Sequence, residues 1–169
     1  TSSDLAQLEY EFATNPNSEA FIPLAEAYLG MGRFVEAMVV CKKGIKAHPE
    51  LPTGRLIMAR IYADQAKHNK AIEELNNLLK LSADNADAHL LLGKINLKLG
   101  KEDLGVEHLK KSLDFNPELT ESRESLLKIG IDYTPRAAQP EPEPAPVQQA
   151  VEQPAATPTG QPPQQQIAD

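Results

Sequence analysis

Residues of matching size recur in this chain at a fixed interval of 34 positions. Leu24, Met58 and Leu92 form one such set, and Ala25, Ala59 and Gly93 another. Gly32, Ala66 and Gly100 form a third, and Ala37, Ala71 and Gly105 a fourth. Pro49 and Pro117 share one register with Ala83 midway, and Tyr28 and Tyr62 share another with Asn96 in third place. A repeat of this length means stacked supersecondary units, each too small to bury its own apolar face and completed by its neighbours.

The units are helical. Leu, Ala, Glu and Lys dominate the first 133 residues, Trp is absent, and aromatic residues make up 5% of the chain, so strand formers are scarce. Small residues at Ala25/Ala59/Gly93 and Ala37/Ala71/Gly105 suit two antiparallel helices in close approach. Gly32 and Gly100 suit the tight turn between them, and Pro49 and Pro117 end the second helix. The spacing predicts helices at 19–31 with 34–47, 53–65 with 69–81, and 86–99 with 102–115. Pro23 is tolerated only if it falls in an opening turn, where its missing N–H has no intrahelical partner.

Segments such as LAEAYLGMGRFVEAMVVCKKGIKAHP and LLGKINLKLGKEDLGVEHLKKSLDFNP resemble the tetratricopeptide repeat family. The resemblance covers residues 18–119 as three units (18–51, 52–85, 86–119) and implies an all-α, right-handed solenoid of αα-hairpins. Gly105 in place of the usual Ala, and Asn96 in place of the usual Tyr, suggest looser packing in the third unit.

Residues 1–17 are expected to form a helix carrying Leu5, Leu8 and Phe12 on one face. Asp4 and Gln7 are spaced like a capping box, and Asn15-Pro16-Asn17 stops the helix. It reads as the second helix of an incomplete earlier unit, either a natural cap or the remnant of a longer array. Residues 120–133 are expected to form a C-terminal cap. From Thr134 to Asp169 the composition turns to Pro, Gln and Ala with few aliphatics, so this stretch is expected to be a disordered tail or tether.

Composition narrows the function. The formal net charge of −7 is spread over both parts of the chain, and neither is a basic nucleic-acid surface. No apolar run approaches the ~20 residues of a membrane span. The chain reads as soluble, with the cytoplasm favoured over the periplasm or secretion and the compartment otherwise open. Four His and one Cys lack ligand spacing, so neither a cofactor, nor a metal, nor a catalytic group is expected. Cys41 reads as a small core residue, while His89 and His108 fall in one hairpin, where they can approach each other.

The resemblance further implies that first helices line a concave groove that holds another protein or a peptide segment. Carried over by position, the groove residues are Ile22, Glu26 and Leu29; Leu56, Ile57 and Arg60; and Leu90, Leu91, Lys94 and Leu97. Pro23 and Ala63 accompany them. Ile57 and Leu91 suit the core equally well. The basic clamp that some three-unit members use for a C-terminal carboxylate is largely missing, since Ile22, Glu26 and Ile57 stand there. The expected function is a non-enzymatic adaptor or assembly module that binds an amphipathic or extended apolar segment. Only Glu26 faces Arg60 and Lys94 in their row, so an acidic residue is expected among the ligand's apolar anchors. The alternative is a scaffold that self-associates, or docks into a larger complex, through its end helices or convex face.

Overall fold

The computed structural model describes residues 2–136, with side chains from residue 4 onward. Eight helices and no strand occur among the described residues. They are α1 (Ser2–Thr14), α2 (Phe21–Gly30), α3 (Phe34–Ala47), α4 (Pro52–Asp64), α5 (His68–Leu81), α6 (Ala86–Lys98), α7 (Glu102–Phe115) and α8 (Thr120–Lys128). The hairpins are α2/α3, α4/α5 and α6/α7, flanked by α1 and α8 as single helices. The expected all-α solenoid is what the chain forms. The disordered tail expected at 134–169 lies outside the described residues from position 137 on.

Helix limits follow local chemistry. Pro23 stands third in α2, within the first turn. Pro52 opens α4 one residue earlier than expected, at the position where its fixed φ suits a helix start. α1 begins ahead of Asp4, so Asp4 lies in the first turn and is not the N-cap that the capping-box spacing implied. α8 ends at Lys128, within the 120–133 expected for the cap, because Gly130 turns to φ +79° and lets the Ile131 amide donate to the Leu126 carbonyl at 2.9 Å.

The same closure ends α4, with the Lys67 amide bonded to the Tyr62 carbonyl at 2.8 Å. Its left-handed residue is Ala66, at φ 57°, where the first and third units have Gly32 and Gly100 at φ 71°. A Cβ is disfavoured in this conformation, so the second turn carries strain that the other two lack.

The first helices α4 and α6 are each shared between two cores. Ile57, Met58 and Ile61 of α4 are packed into the first unit with Phe21, Leu24 and Cys41, while Ala59 of the same helix belongs to the next core with Leu75 and Leu78. α6 repeats the arrangement, giving Leu92 and Ile95 to the second core and Leu90 to the third, with Leu109, Leu113 and Leu126. This sharing is why no single unit closes a core by itself.

The third hairpin is not loose. A Cβ added at Gly93 would sit 3.1 Å from the Gly105 carbonyl, and one added at Gly105 would sit 3.1 Å from the Gly93 carbonyl. Two glycines therefore bring α6 and α7 together backbone to backbone, and Asn96 is buried with its amide donating to the Leu92 carbonyl at 2.9 Å. The expectation of looser packing treated each departure as a loss of side chain. It overlooked that the pair removes volume from both sides of one contact.

Both ends are tied down. Phe12 of α1 is buried in the first core, and Tyr28 donates to Glu9 at 2.6 Å. The buried hydroxyls of Ser112 in α7 and Ser122 in α8 are hydrogen-bonded at 2.6 Å. After α8 the chain runs back over α7. Tyr133 donates to Asp114 at 2.8 Å, the Arg136 amide reaches the same carboxylate at 2.8 Å, and Pro135 is buried. Contacts to the helical body thus extend to Arg136.

Candidate interaction groove

The 34-residue period places equivalent side chains of α2, α4, α6 and α8 in parallel, so any side chain left on their free face recurs as a row. A groove of about 620 Å³ runs across these four helices. Leu56, Leu90 and Leu91 supply its apolar surface, and Glu26, Arg60 and Lys94 line it as charged groups. Six of the ten side chains expected in the groove therefore meet there.

The other four do not. Ile57 is wholly buried against the first unit and cannot touch a ligand. Leu29 is also buried in the first core, and Ile22 packs half-buried on its edge. Leu97 packs on the third core, with its branch filling the space beside Gly105. All four are drawn into the cores that flank the free face, which leaves a narrower strip than the family positions suggested.

Thr53, Asn85, Asp87 and Glu121 also line the groove and were missed. Thr53, Asp87 and Glu121 are themselves a 34-residue series that extends back to Glu19, about one turn before Ile22, Leu56 and Leu90. Their 34-residue spacing is the signal that marks them in the sequence. Asn85 is the N-cap of α6, accepting from the Ala88 amide at 2.9 Å.

The electrostatics differ from the expectation. Arg60 pairs with Glu26 at 3.4 Å across the first two units, and Lys94 pairs with Glu121. No cation of the Glu26/Arg60/Lys94 series is left uncompensated, because the cap helix α8 delivers a carboxylate that a count over the three full units omits. Asp87 has no basic partner within ion-pair distance among the described residues. The groove lining is thereby acidic in balance, and the premise for an acidic residue in the ligand falls away.

Burial pushes the Cys41 thiol up to about 12, so it stays protonated and packs as a small apolar group. No cluster of three or more metal-ligating side chains occurs among the described residues. His89 and His108 do approach, with Nδ1 atoms 3.0 Å apart, and both rings stack between α6 and α7, His89 also against Phe115. His89 Nε2 donates to the Ala83 carbonyl at 3.1 Å, so its Nδ1 accepts and His108 Nδ1 donates. Burial holds both imidazoles below their usual range. No described helix is long and apolar enough to cross a membrane.

Comparison with known proteins agrees with this architecture. A family described as "TPR repeat" matches residues 59–100, and one described as "Tetratricopeptide repeat" matches residues 86–119. DnaJ homolog subfamily C member 3 from Homo sapiens is 27% identical over 124 residues, covering 72% of this chain and 25% of the relative. The chain thus spans about a quarter of the length of the curated relatives it matches. TTC0263, a thermophilic TPR protein of Thermus thermophilus, superposes with a TM-score of 0.66 at 22% identity, over 73% of this chain and 70% of that one. The first TPR of Spaghetti (RPAP3), solved with the HSP90 peptide SRMEEVD, gives 0.61 at 23% identity, over 64% of this chain and 86% of its own.

Proposed function

We propose that this tetratricopeptide-repeat protein is a non-enzymatic interaction module that holds an amphipathic or extended apolar segment of another protein in the groove of α2, α4, α6 and α8. The observation that carries the reading is the groove itself: four helices present one aligned free face, and its apolar part is built from Leu56, Leu90 and Leu91. A ligand's aliphatic or aromatic anchors would cover these leucines and supply most of the affinity, with the flanking charges setting register. The peptide complex of the Spaghetti domain supports the same kind of use for the same fold.

A photo-crosslinking residue at Leu56, compared with one at Glu73 on the second helix α5, tests this reading in the source cell. A defined protein captured from Leu56 and not from Glu73, and then rebound in purified form through one peptide segment, supports the groove. Capture of the same protein from Glu73 alone refutes it.

A second reading has its own observation. Tyr10 on α1, Val35 and Val39 on α3, and Leu127 on α8 are about half exposed or more, at 72%, 72%, 49% and 52% respectively. Docking into an assembly through end helices and the convex face would use these side chains. Substitutions there, and not in the groove, would then impair function.

A further inference from the structure

Resting on the groove reading, we infer that the preferred ligand segment is basic, carrying Lys or Arg beside its apolar anchors. The acidic series Glu19, Asp87 and Glu121 runs one turn from the leucines, interrupted only by Thr53. A second series, Glu50, Asp84 and Glu118, recurs at the same 34-residue spacing in the turns that lead into α4, α6 and α8, and all three are exposed. Of these carboxylates Asp87 and Glu121 line the groove itself, and the others recur at the same spacing on or just ahead of its helices.

Few cations answer them. His48 Nδ1 stands 3.9 Å from Glu50, and Lys94 engages Glu121. Lys46 and Lys80 lie in the last turns of α3 and α5, and Lys80 donates to Asn77 at 3.1 Å. Glu19, Asp87 and Glu118 have no ion pair among the described residues. Arg60 and Lys94 are each already paired, so an acidic ligand would have to displace Glu26 or Glu121 while facing Asp87. A basic residue near the anchors meets Asp87 directly and displaces nothing. Charge complementarity therefore favours a basic amphipathic segment over an acidic one.

Three synthetic peptides with identical leucine anchors, whose other positions are mostly Lys, mostly Gln or mostly Glu, test this by fluorescence anisotropy and amide NMR titration of the full chain. The Lys peptide is expected to bind tightest and the Glu peptide weakest, with the difference shrinking as salt is raised. Asp87→Asn should weaken the Lys peptide roughly two- to fivefold, the range of one exposed ion pair, and the Gln peptide by less. Equal or tighter binding of the Glu peptide overturns the inference, as does indifference of the Lys peptide to Asp87→Asn. If Leu56→Ala weakens all three peptides but charge makes no difference, only the charge inference falls. If Leu56→Ala weakens none, or no peptide shifts a groove amide, the groove reading falls with it.

Discussion

Gly44→Ala should destabilise the fold although it improves helix propensity. Gly44 lies inside α3, and a Cβ there would stand 2.1 to 2.6 Å from three carbons of the Phe21 ring. Phe21 is wholly buried and stacked on His48 with ring centroids 5.8 Å apart, so the ring has no open space to enter. The repeat explains the arrangement. Phe21, Arg55 and His89 are equivalent, as are Gly44, Leu78 and Ser112, and the first unit places its largest ring opposite its smallest residue.

Overpacking a dense core costs about 1–3 kcal/mol, and this overlap belongs at the upper end. Replacing glycine inside a helix recovers about 1 kcal/mol. The net loss is about 2 kcal/mol, which lowers the melting temperature by roughly 6–10 °C for an ordered body of this size. Thermal unfolding followed by circular dichroism measures it. Gly30→Ala is the control, since a Cβ at Gly30 meets nothing within 4 Å, and it should be neutral or stabilising. A Phe21→Leu, Gly44→Ala double variant should be more stable than the sum of the single losses predicts. A Gly44→Ala chain that melts at or above the parent temperature would refute the close approach of α2 and α3.

Ala66→Gly should stabilise the chain by about 0.5–1 kcal/mol, because it relieves a left-handed alanine at φ 57°; a lower melting temperature would show that the turn carries no strain. The buried pair His89/His108 makes stability depend on pH. Both imidazoles titrate below 6.5 in the fold, so the unfolded chain binds more protons under mild acid. Their contribution is fully present above about pH 6.5 and is lost as pH falls through the folded values. Denaturant titrations from pH 8 to 5 should therefore show declining stability, with a flatter slope in a His89→Gln, His108→Gln double variant. Asn85→Ala removes the side-chain cap of α6 and should cost about 1 kcal/mol in the same titration.

What the sequence revealed followed from what the 34-residue period can carry. A period reports which positions are equivalent, so the hairpins, their seams at Ala25/Ala37 and Ala59/Ala71, and the turns at Gly32 and Gly100 were all legible. It does not report which of two neighbouring cores a first-helix side chain enters. Ile57 and Leu91 illustrate the difference, since they occupy equivalent positions, yet Ile57 is wholly buried and Leu91 reaches the groove. Pairing between units was equally hidden. Lys94 finds Glu121 only because α8 folds beside α6, and Gly93 with Gly105 tightens a contact that Gly105 alone suggested was weaker.

Whether partners lie along the first helices is decided by amide NMR of the labelled chain, titrated with the captured partner's binding segment. Shifts should concentrate at Leu56, Asp87, Leu90, Leu91 and Lys94, and Leu56→Ala or Leu91→Ala should weaken binding by about 1–3 kcal/mol through lost burial. Shifts confined to α1, to Val35 and Val39 of α3, or to Leu127 and Ile129 at the end of α8, with both leucine variants binding like the parent, would contradict the groove.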